Sequence, residues 1–427
     1  MFVNLNEIQS LQNQYKIYII RFSVNKTTKV KNMKTKIVSL ILILTVAVFS
    51  LSSCLFLDTD GILGSNGNDD PSKNNTTINV NGGPTYENIN ITSTADKNLL
   101  SASKAVLSAV SVITSSAAGS GVIYELDKEK GSAYIITNYH VVYEQNETGI
   151  AKEIKVYLYG MEGLDYGIDA KFVGGSMNYD IALLYVENST VLMQSNARAV
   201  DVADSDKVSI LDTAIAVGNP EGNGISVTVG CVNVDSEDII VSFQGAKVKI
   251  RVMRTDAAVN SGNSGGGLFN DNGELIGVVN AKSGNSTTDN IGYAIPSNVA
   301  IAIAENIQYY CVGTEKKNVY RCMMGVTVSA SELSTKYDTE TGKIHKLEKV
   351  VINEVTANGA AQGRLQAGDV ILAITIDGVR HEVTRVHHLI DTMLNARVGS
   401  NVIIHVMRGD TAVDVGIPMT ENMIEAY

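Results

Sequence analysis

Three consecutive glycines follow Ser264, in the run Gly262-Asn263-Ser264-Gly265-Gly266-Gly267. Each glycine inside a helix costs about 1 kcal/mol relative to alanine, so no helix starts at this serine. The next residues, 268–281 (LFNDNGELIGVVNA), read as a strand, an Asp-Asn-Gly turn and a second strand. No alternation of strands with long helical patterns surrounds the run. The neighbourhood of Ser264 is therefore not a doubly wound sheet, in which such a turn feeds a helix.

The chain on either side agrees. Val122–Tyr124, Tyr134–Thr137, Ile154–Leu158, Ala182–Val186, Ala214–Val217, Ser226–Val234 and Ile239–Phe243 are short β-like runs separated by turn residues. The 37 glycines supply many of those turns. So dense a series of strands indicates a sandwich or barrel. Residues 96–109 give one short amphipathic helix ahead of it, and residues 303–320 a polar helical connection after it. From about Arg321 a second unit begins, with strands near 324–328, 348–355, 370–376, 401–407 and 411–417. It also carries a tight Asp377-Gly378 turn and a helix near 384–395.

A serine set among glycines suits nucleophilic chemistry. Glycine permits positive φ, and free backbone N–H groups can point at a developing oxyanion. The hydroxyl still needs a base to take its proton and a third group to hold that base. Taken alone, the run fits both the G-x-S-x-G elbow of α/β-hydrolases and the serine loop of a chymotrypsin-like protease. Of the six histidines, His140, His345, His381, His387, His388 and His405, only His140 precedes Ser264. The order His, Asp, Ser therefore requires His140 as base, and the order Ser, Asp, His would need one of the later five. The strand pattern after Ser264 selects the first order. A histidine beside Val141 and Val142 is ordinarily a core residue, and the downstream serine loop reverses that reading. For the acid the choice is Asp180, immediately before the apolar strand at 181–184. Spacing alone leaves Asp165, Asp169, Asp204 and Asp256 as rivals.

Formal net charge is −11 over 427 residues. Seven Lys/Arg and one Glu give residues 1–53 a charge of +6, so the remainder carries −17. A body so acidic lacks the basic footprint of a nucleic-acid binder. In the basic segment, Lys34 and Lys36 precede an apolar run of 13 residues, Ile37 to Phe49. That length is short for a bilayer span and right for a signal-peptide core. It ends in Leu51-Ser52-Ser53-Cys54, which looks like a bacterial lipobox with Cys54 as the lipidated residue. A signal peptide of ordinary proportions would start at Met33. Residues 54–95, rich in Asn, Gly, Asp, Ser and Thr, read as a flexible spacer. Cys231 lies in an apolar alternating run and is expected in the core. Cys311 and Cys322 are expected as buried thiols, with a disulfide between them as the alternative. No C-x-x-C spacing exists, and neither metal nor cofactor is implied.

Six segments resemble the HtrA family of serine proteases, in the family's order. They are G-S-G-V-I (119–123), T-N-Y-H-V-V (137–142), Y-D-I-A-L-L (179–184), G-N-P-E-G (218–222), T-D-A-A-V-N-S-G-N-S-G-G (255–266) and I-G-Y-A-I-P (291–296). The resemblance covers nearly all of 96–300. It implies a mostly β, chymotrypsin-like double β-barrel with the triad His140, Asp180 and Ser264. It also implies an oxyanion hole at Gly262, Asn263 and Ser264, formed by the N–H groups of Gly262 and Ser264 with Asn263 between them. Gly267 and Ser261 stand where the family often has proline, a departure expected to loosen the loop.

Residues 321–427 resemble a PDZ domain through Met323-Met324-Gly325-Val326, the turn Gly363 to Asp369 and the closing strands. The expected groove for C-terminal peptides involves Met324, Gly325, Val326, Val386, Leu389 and Ile390. His387 and His388 are expected on the helix surface.

The domain plan that results is an N-terminal extension and signal peptide at 1–53, a linker at 54–95, a protease domain at 96–305, a connector at 306–320 and a PDZ domain at 321–427. The lipobox-like segment implies a lipid-anchored, extracytoplasmic protein, and the family resemblance implies an endopeptidase, a homotrimer, acting on unfolded or damaged proteins. The alternative is a PDZ chaperone or stress sensor with little or no catalysis.

Overall fold

The strand Ile154–Leu158 shows how the sequence pattern folds. Ile154, Val156 and Leu158 are buried, and Lys155 and Tyr157 between them are half-buried. This is the period-two signature of a strand with one face on a core. The computed structural model describes residues 97–427 apart from 145–148, 163–165, 244 and 281–290. Met33, Cys54, the spacer at 54–95 and Asp165 lie outside the described residues.

Helix α1 (Lys97–Ser108) leads into a seven-stranded antiparallel sheet. Its strands are β1 (Ala109–Thr114), β2 (Ala118–Asp127), β3 (Ser132–Thr137), β4 (Ile154–Leu158), β5 (Ile168–Asp169), β6 (Lys171–Ser176) and β7 (Ile181–Val186). They lie in the order β5-β4-β1-β2-β3-β7-β6 around a core that includes Val110, Ile123, Ile135 and Leu184. A second sheet follows: β8 (Asp201–Val202), β9 (Thr213–Gly218), β10 (Ser226–Phe243), β11 (Ala246–Thr255), β12 (Gly267–Phe269), β13 (Glu274–Val279) and β14 (Gly292–Pro296). Its order is β8-β13-β12-β9-β10-β11-β14, and β13 also pairs with β14, so the sheet closes into a barrel. The runs expected at 226–234 and 239–243 are one 18-residue strand, β10. Register shifts between Val232 and Val234 and between Val234 and Glu237 interrupt its alternation, and in sequence such a bulge looks like a strand end. Cys231 is a correction to the expectation of a core residue. Its neighbour Val232 takes the inward position on β10 and is wholly buried, while Cys231 is only half-buried.

Helix α3 (Ser297–Cys311) is more than a polar connection, α2 being the single turn Tyr139–Val142. Val299, Ile303 and Ile307 are buried in a core shared with Ile136 and Leu183 of the first sheet and Val252 and Ile295 of the second. Cys311 and Cys322 are free, buried thiols, and burial pushes both thiol pKa values up.

The C-terminal unit is built on β15 (Tyr320–Cys322), β16 (Val326–Tyr337), β17 (Ile344–Val355), β18 (Val370–Ile376), β19 (Val379–Glu382), α4 (Val386–Thr392), β20 (Asn401–Arg408), β21 (Thr411–Pro418) and β22 (Ile424–Ala426). The sheet order is β16-β17-β18-β20-β21, with β19 on β18, and β15 pairs with β22. Strand β16 is thus an edge. Its own core contains Val350, Ile374, Leu389 and Ile404.

Candidate active site

Strand β3 ends at Thr137, and the one-turn helix α2 carries His140 just beyond it. Val141 and Val142 are buried and fix that turn. Tyr139 packs its ring against Phe172 of the first sheet and Phe243 of the second. His140 therefore sits on a segment held from both sheets. Asp180 precedes β7 with φ of 52°, in the left-handed region that aspartate tolerates better than most residues.

The imidazole Nδ1 of His140 lies 2.6 Å from Asp180 Oδ2, and the backbone N–H of His140 donates to Asp180 Oδ1 at 2.9 Å. Asn280 Nδ2 donates to the same Oδ2 at 3.0 Å, and Asn138 Nδ2 donates to the Asp180 backbone carbonyl at 2.8 Å. A carboxylate accepts only, so these contacts place the imidazole proton on Nδ1 and leave the Nε2 lone pair for base chemistry. The described rivals are engaged elsewhere. Asp169 pairs with Lys155, Asp204 accepts from Asn298 Nδ2, and Asp256 accepts from the Cys231 N–H.

The serine loop packs directly on this assembly. A Cβ on Gly265, whose φ is 85°, would stand 2.2 Å from Ser120 O and 2.4 Å from Thr137 Oγ1. Glycine at 265 thus lets the loop touch the end of β3. Ser120, which sequence reasoning missed as an anchor, ties down both ends. Its N–H donates to Ser264 O at 2.8 Å, and its hydroxyl donates to Gly262 O and accepts from the Asn219 N–H, both at 2.7 Å.

Gly262 has φ of 96°, and a Cβ there would stand 2.2 Å from Asn219 O. The Ser261 carbonyl accepts from the Glu221 N–H at 2.8 Å. In a trans peptide the carbonyl and the following N–H point opposite ways. The Gly262 N–H therefore faces away from the 220–222 turn, and it has no acceptor among the described residues. The neighbouring N–H groups are occupied: Asn263 donates to Asn260 O, Gly265 to Val279 O and Gly266 to Asn263 O. The Asn263 N–H is thus spent within the loop. The Phe269 ring fills the space beside Gly267, with ring atoms 2.3 and 2.4 Å from where a Cβ would be.

Asn280 is the second residue that sequence reasoning missed. It directly follows the apolar strand β13, and an asparagine at the end of that apolar run was the only signal the sequence offered. Beside the serine loop a shallow cavity of about 590 Å³ is lined by Asn260, Pro220, Glu221, Tyr159 and Glu162.

In the C-terminal unit, Gly325 adopts φ of 76° and Val326 opens the edge strand β16. Met324 is buried, and its carbonyl accepts from the Ala361 N–H. Leu389 is a correction: it is 2% exposed and belongs to the core, where α4 must bury one face. Val386 and Ile390 keep accessible surface. His387 and His388 are a second correction. They are half-buried against the first unit instead of lying on an open surface, because α4 docks there.

Residues 119–278 match the family described as Trypsin-like peptidase domain, and residues 322–419 match PDZ domain. Fold and matches define the class: a trypsin-like serine protease domain followed by one PDZ domain. "Serine protease Do-like HtrA" of Bacillus subtilis (strain 168) is 34% identical over 268 residues, 61% of this chain and 55% of its own length. "Periplasmic serine endoprotease DegP" of Escherichia coli (strain K12) is 32% identical over 313 residues, 72% of this chain and 57% of its own. Within that class the curated relatives it resembles carry HtrA- and Deg-type serine protease names. It spans about half the length of the curated relatives it matches. Of solved structures, "HtrA-type protease AlgW with tripeptide" covers 77% of this chain and 98% of its own, at 26% identity and a TM-score of 0.48.

Proposed function

We propose that this chain is an extracytoplasmic serine endopeptidase working through an acyl-enzyme. The observation that carries the reading is the His140–Asp180 pair, set against the Gly262–Gly266 loop by Ser120 and Thr137. Ser264 Oγ attacks the substrate carbonyl while His140 Nε2 takes its proton. His140 then returns that proton to the leaving amine, and water repeats the cycle to release the acyl group. Asp180 holds the tautomer and stabilises the imidazolium. The Gly262 and Ser264 N–H groups bind the oxyanion.

Two relatives are named as periplasmic endoproteases, and the family resemblance favours unfolded or damaged exported proteins as substrates. The edge strand β16 beside α4 suits a C-terminal peptide added as a further strand, with Met324, Gly325, Val326, Val386 and Ile390 at the groove. The proposal includes a lipid anchor on Cys54 and a homotrimeric assembly. Fluorophosphonate labelling of the purified protein tests the chemistry. Wild type is expected to label and to digest casein, and Ser264→Ala to do neither. Equal digestion by the two proteins would overturn the reading.

A further inference from the structure

A polar cavity of about 260 Å³ lies between the protease and PDZ domains, away from the triad. It is lined by Asp206 of the protease domain and by His387 and His388 of α4, with Arg251 and Arg385 beside them. One ligand atom from each of Asp206, His387 and His388 lies within 4.8 Å of the others. His388 Nε2 stands 3.9 Å from Asp206 Oδ1. Adjacent residues on a helix normally point about 100° apart. Here both sit in the first turn of α4, with ring centroids 4.6 Å apart.

Further observations point to a cation as the common partner of these donors. Asp206 Oδ1 is buried with no hydrogen-bond donor among the described residues, and a buried carboxylate oxygen left so is costly. Of the nearby arginines, Arg251 pairs with Asp391 at 2.5 Å and Arg385 with Asp235 at 2.7 Å, and neither reaches hydrogen-bond distance of Asp206 Oδ1. His388 Nδ1 lies 3.2 Å from Thr384 Oγ1, leaving Nε2 toward Asp206, and His387 makes no hydrogen bond among the described residues. An outer partner on one ring nitrogen is how proteins orient a metal-binding histidine.

We propose that Asp206, His387 and His388 form a divalent transition-metal site of the zinc class that pins the PDZ helix to the protease domain. Zinc takes imidazole nitrogen and carboxylate oxygen at about 2.0–2.2 Å. The three donors would close by roughly 1 Å from their present spacing, and the cavity leaves room for water as a fourth ligand. Arg251, whose Nη2 is 4.0 Å from Asp206 Oδ1, is the opposing charge, and Asp391 offsets it.

The test is calorimetric titration of the EDTA-stripped full chain with zinc chloride, alongside cobalt(II) absorption. One saturable zinc per chain is expected, with nitrogen–oxygen cobalt bands and no thiolate charge-transfer band. His388→Ala and Asp206→Ala should each weaken binding at least tenfold, and His140→Ala should leave it unchanged. Thr384→Val keeps both imidazoles and should weaken binding about tenfold through loss of orientation. Absence of saturable binding would overturn the proposal. So would zinc retained at full affinity in the His388 and Asp206 variants, or a thiolate band implicating a cysteine.

Discussion

Asn280 and His140 meet on one atom: both approach Asp180 Oδ2, at 3.0 and 2.6 Å. Asn280 thereby fixes the carboxylate rotamer that orients the imidazole. Loss of one hydrogen bond to a charged group costs about 1.5–3 kcal/mol. Asn280→Ala should lower kcat by roughly 10- to 100-fold with KM nearly unchanged, because the contact acts on the base and not on the substrate. Asp180→Asn should be far worse, on the order of 10⁴-fold, since an amide can present its N–H to Nδ1 and favour the wrong tautomer. Steady-state hydrolysis of a peptide substrate measures both. An Asn280→Ala enzyme with wild-type kcat would remove this residue from the positioning network.

Gly262 carries two constraints at once, a φ of 96° and a neighbour, Asn219 O, that would stand 2.2 Å from any Cβ. Gly262→Ala should therefore rotate the 261–262 peptide and break the Glu221 N–H to Ser261 O bond. The Gly262 N–H, the proposed oxyanion donor, moves with it. Activity should fall about 10²- to 10³-fold, the usual effect of losing one such donor. Fluorophosphonate labelling should slow in parallel while circular dichroism stays native. Unchanged labelling would show that the Gly262 N–H is not the donor.

What was legible in the sequence was what periodicity and chain order carry. Ile154 to Leu158 alternates cleanly and folds as read. The glycines and strands after Ser264 chose between two unrelated folds, and chain order then left His140 as the base. What was not legible depends on contacts between distant residues. Ser120 is one serine among many until its hydroxyl is seen between Gly262 and Asn219. Asn280 lies 100 residues from the carboxylate it holds. His387 and His388 read as surface because nothing in a helical period reveals that a second domain covers them. Gly267 read as a weakness because the ring of Phe269, which fills the gap, belongs to a different position.

That last relationship yields a stability prediction. A Cβ at 267 would come within 2.4 Å of two Phe269 ring atoms, and both residues are buried. Gly267→Ala should destabilise by about 1–3 kcal/mol through overpacking. Gly267→Pro should be at least as costly alone. Combined with Phe269→Leu, which vacates the ring's space, Gly267→Pro should recover a substantial part of the loss, a coupling expected between residues in contact. Denaturant midpoints of the two single variants and the double variant give the cycle. Strict additivity would mean that Phe269 does not occupy the site of the absent proline.

The interdomain contact predicts a pH dependence of definite sign. Asp391 on α4 lies 2.5 Å from Arg251, yet burial, opposed by Arg251 and reinforced by Asp206, pushes its carboxyl up to about 6 from an ordinary value of 3.8. A carboxyl with a raised folded pKa contributes stability fully below its unfolded pKa and loses it as pH rises through the folded value. His387 and His388 act the other way. Their pKa values are lowered by burial and by Arg251 and Arg385, with Asp206 and Asp204 opposing at His388. They therefore contribute stability above pH 6.5 that is lost as pH falls. Asp391→Asn removes the first titration and keeps the second. With EDTA present to exclude metal, the midpoint of wild type minus that of Asp391→Asn should fall between about pH 4 and pH 6.5 and stay level above it. A difference that is flat across that range, or that grows with pH, would show that Asp391 is ionised throughout and that its pairing with Arg251 outweighs burial.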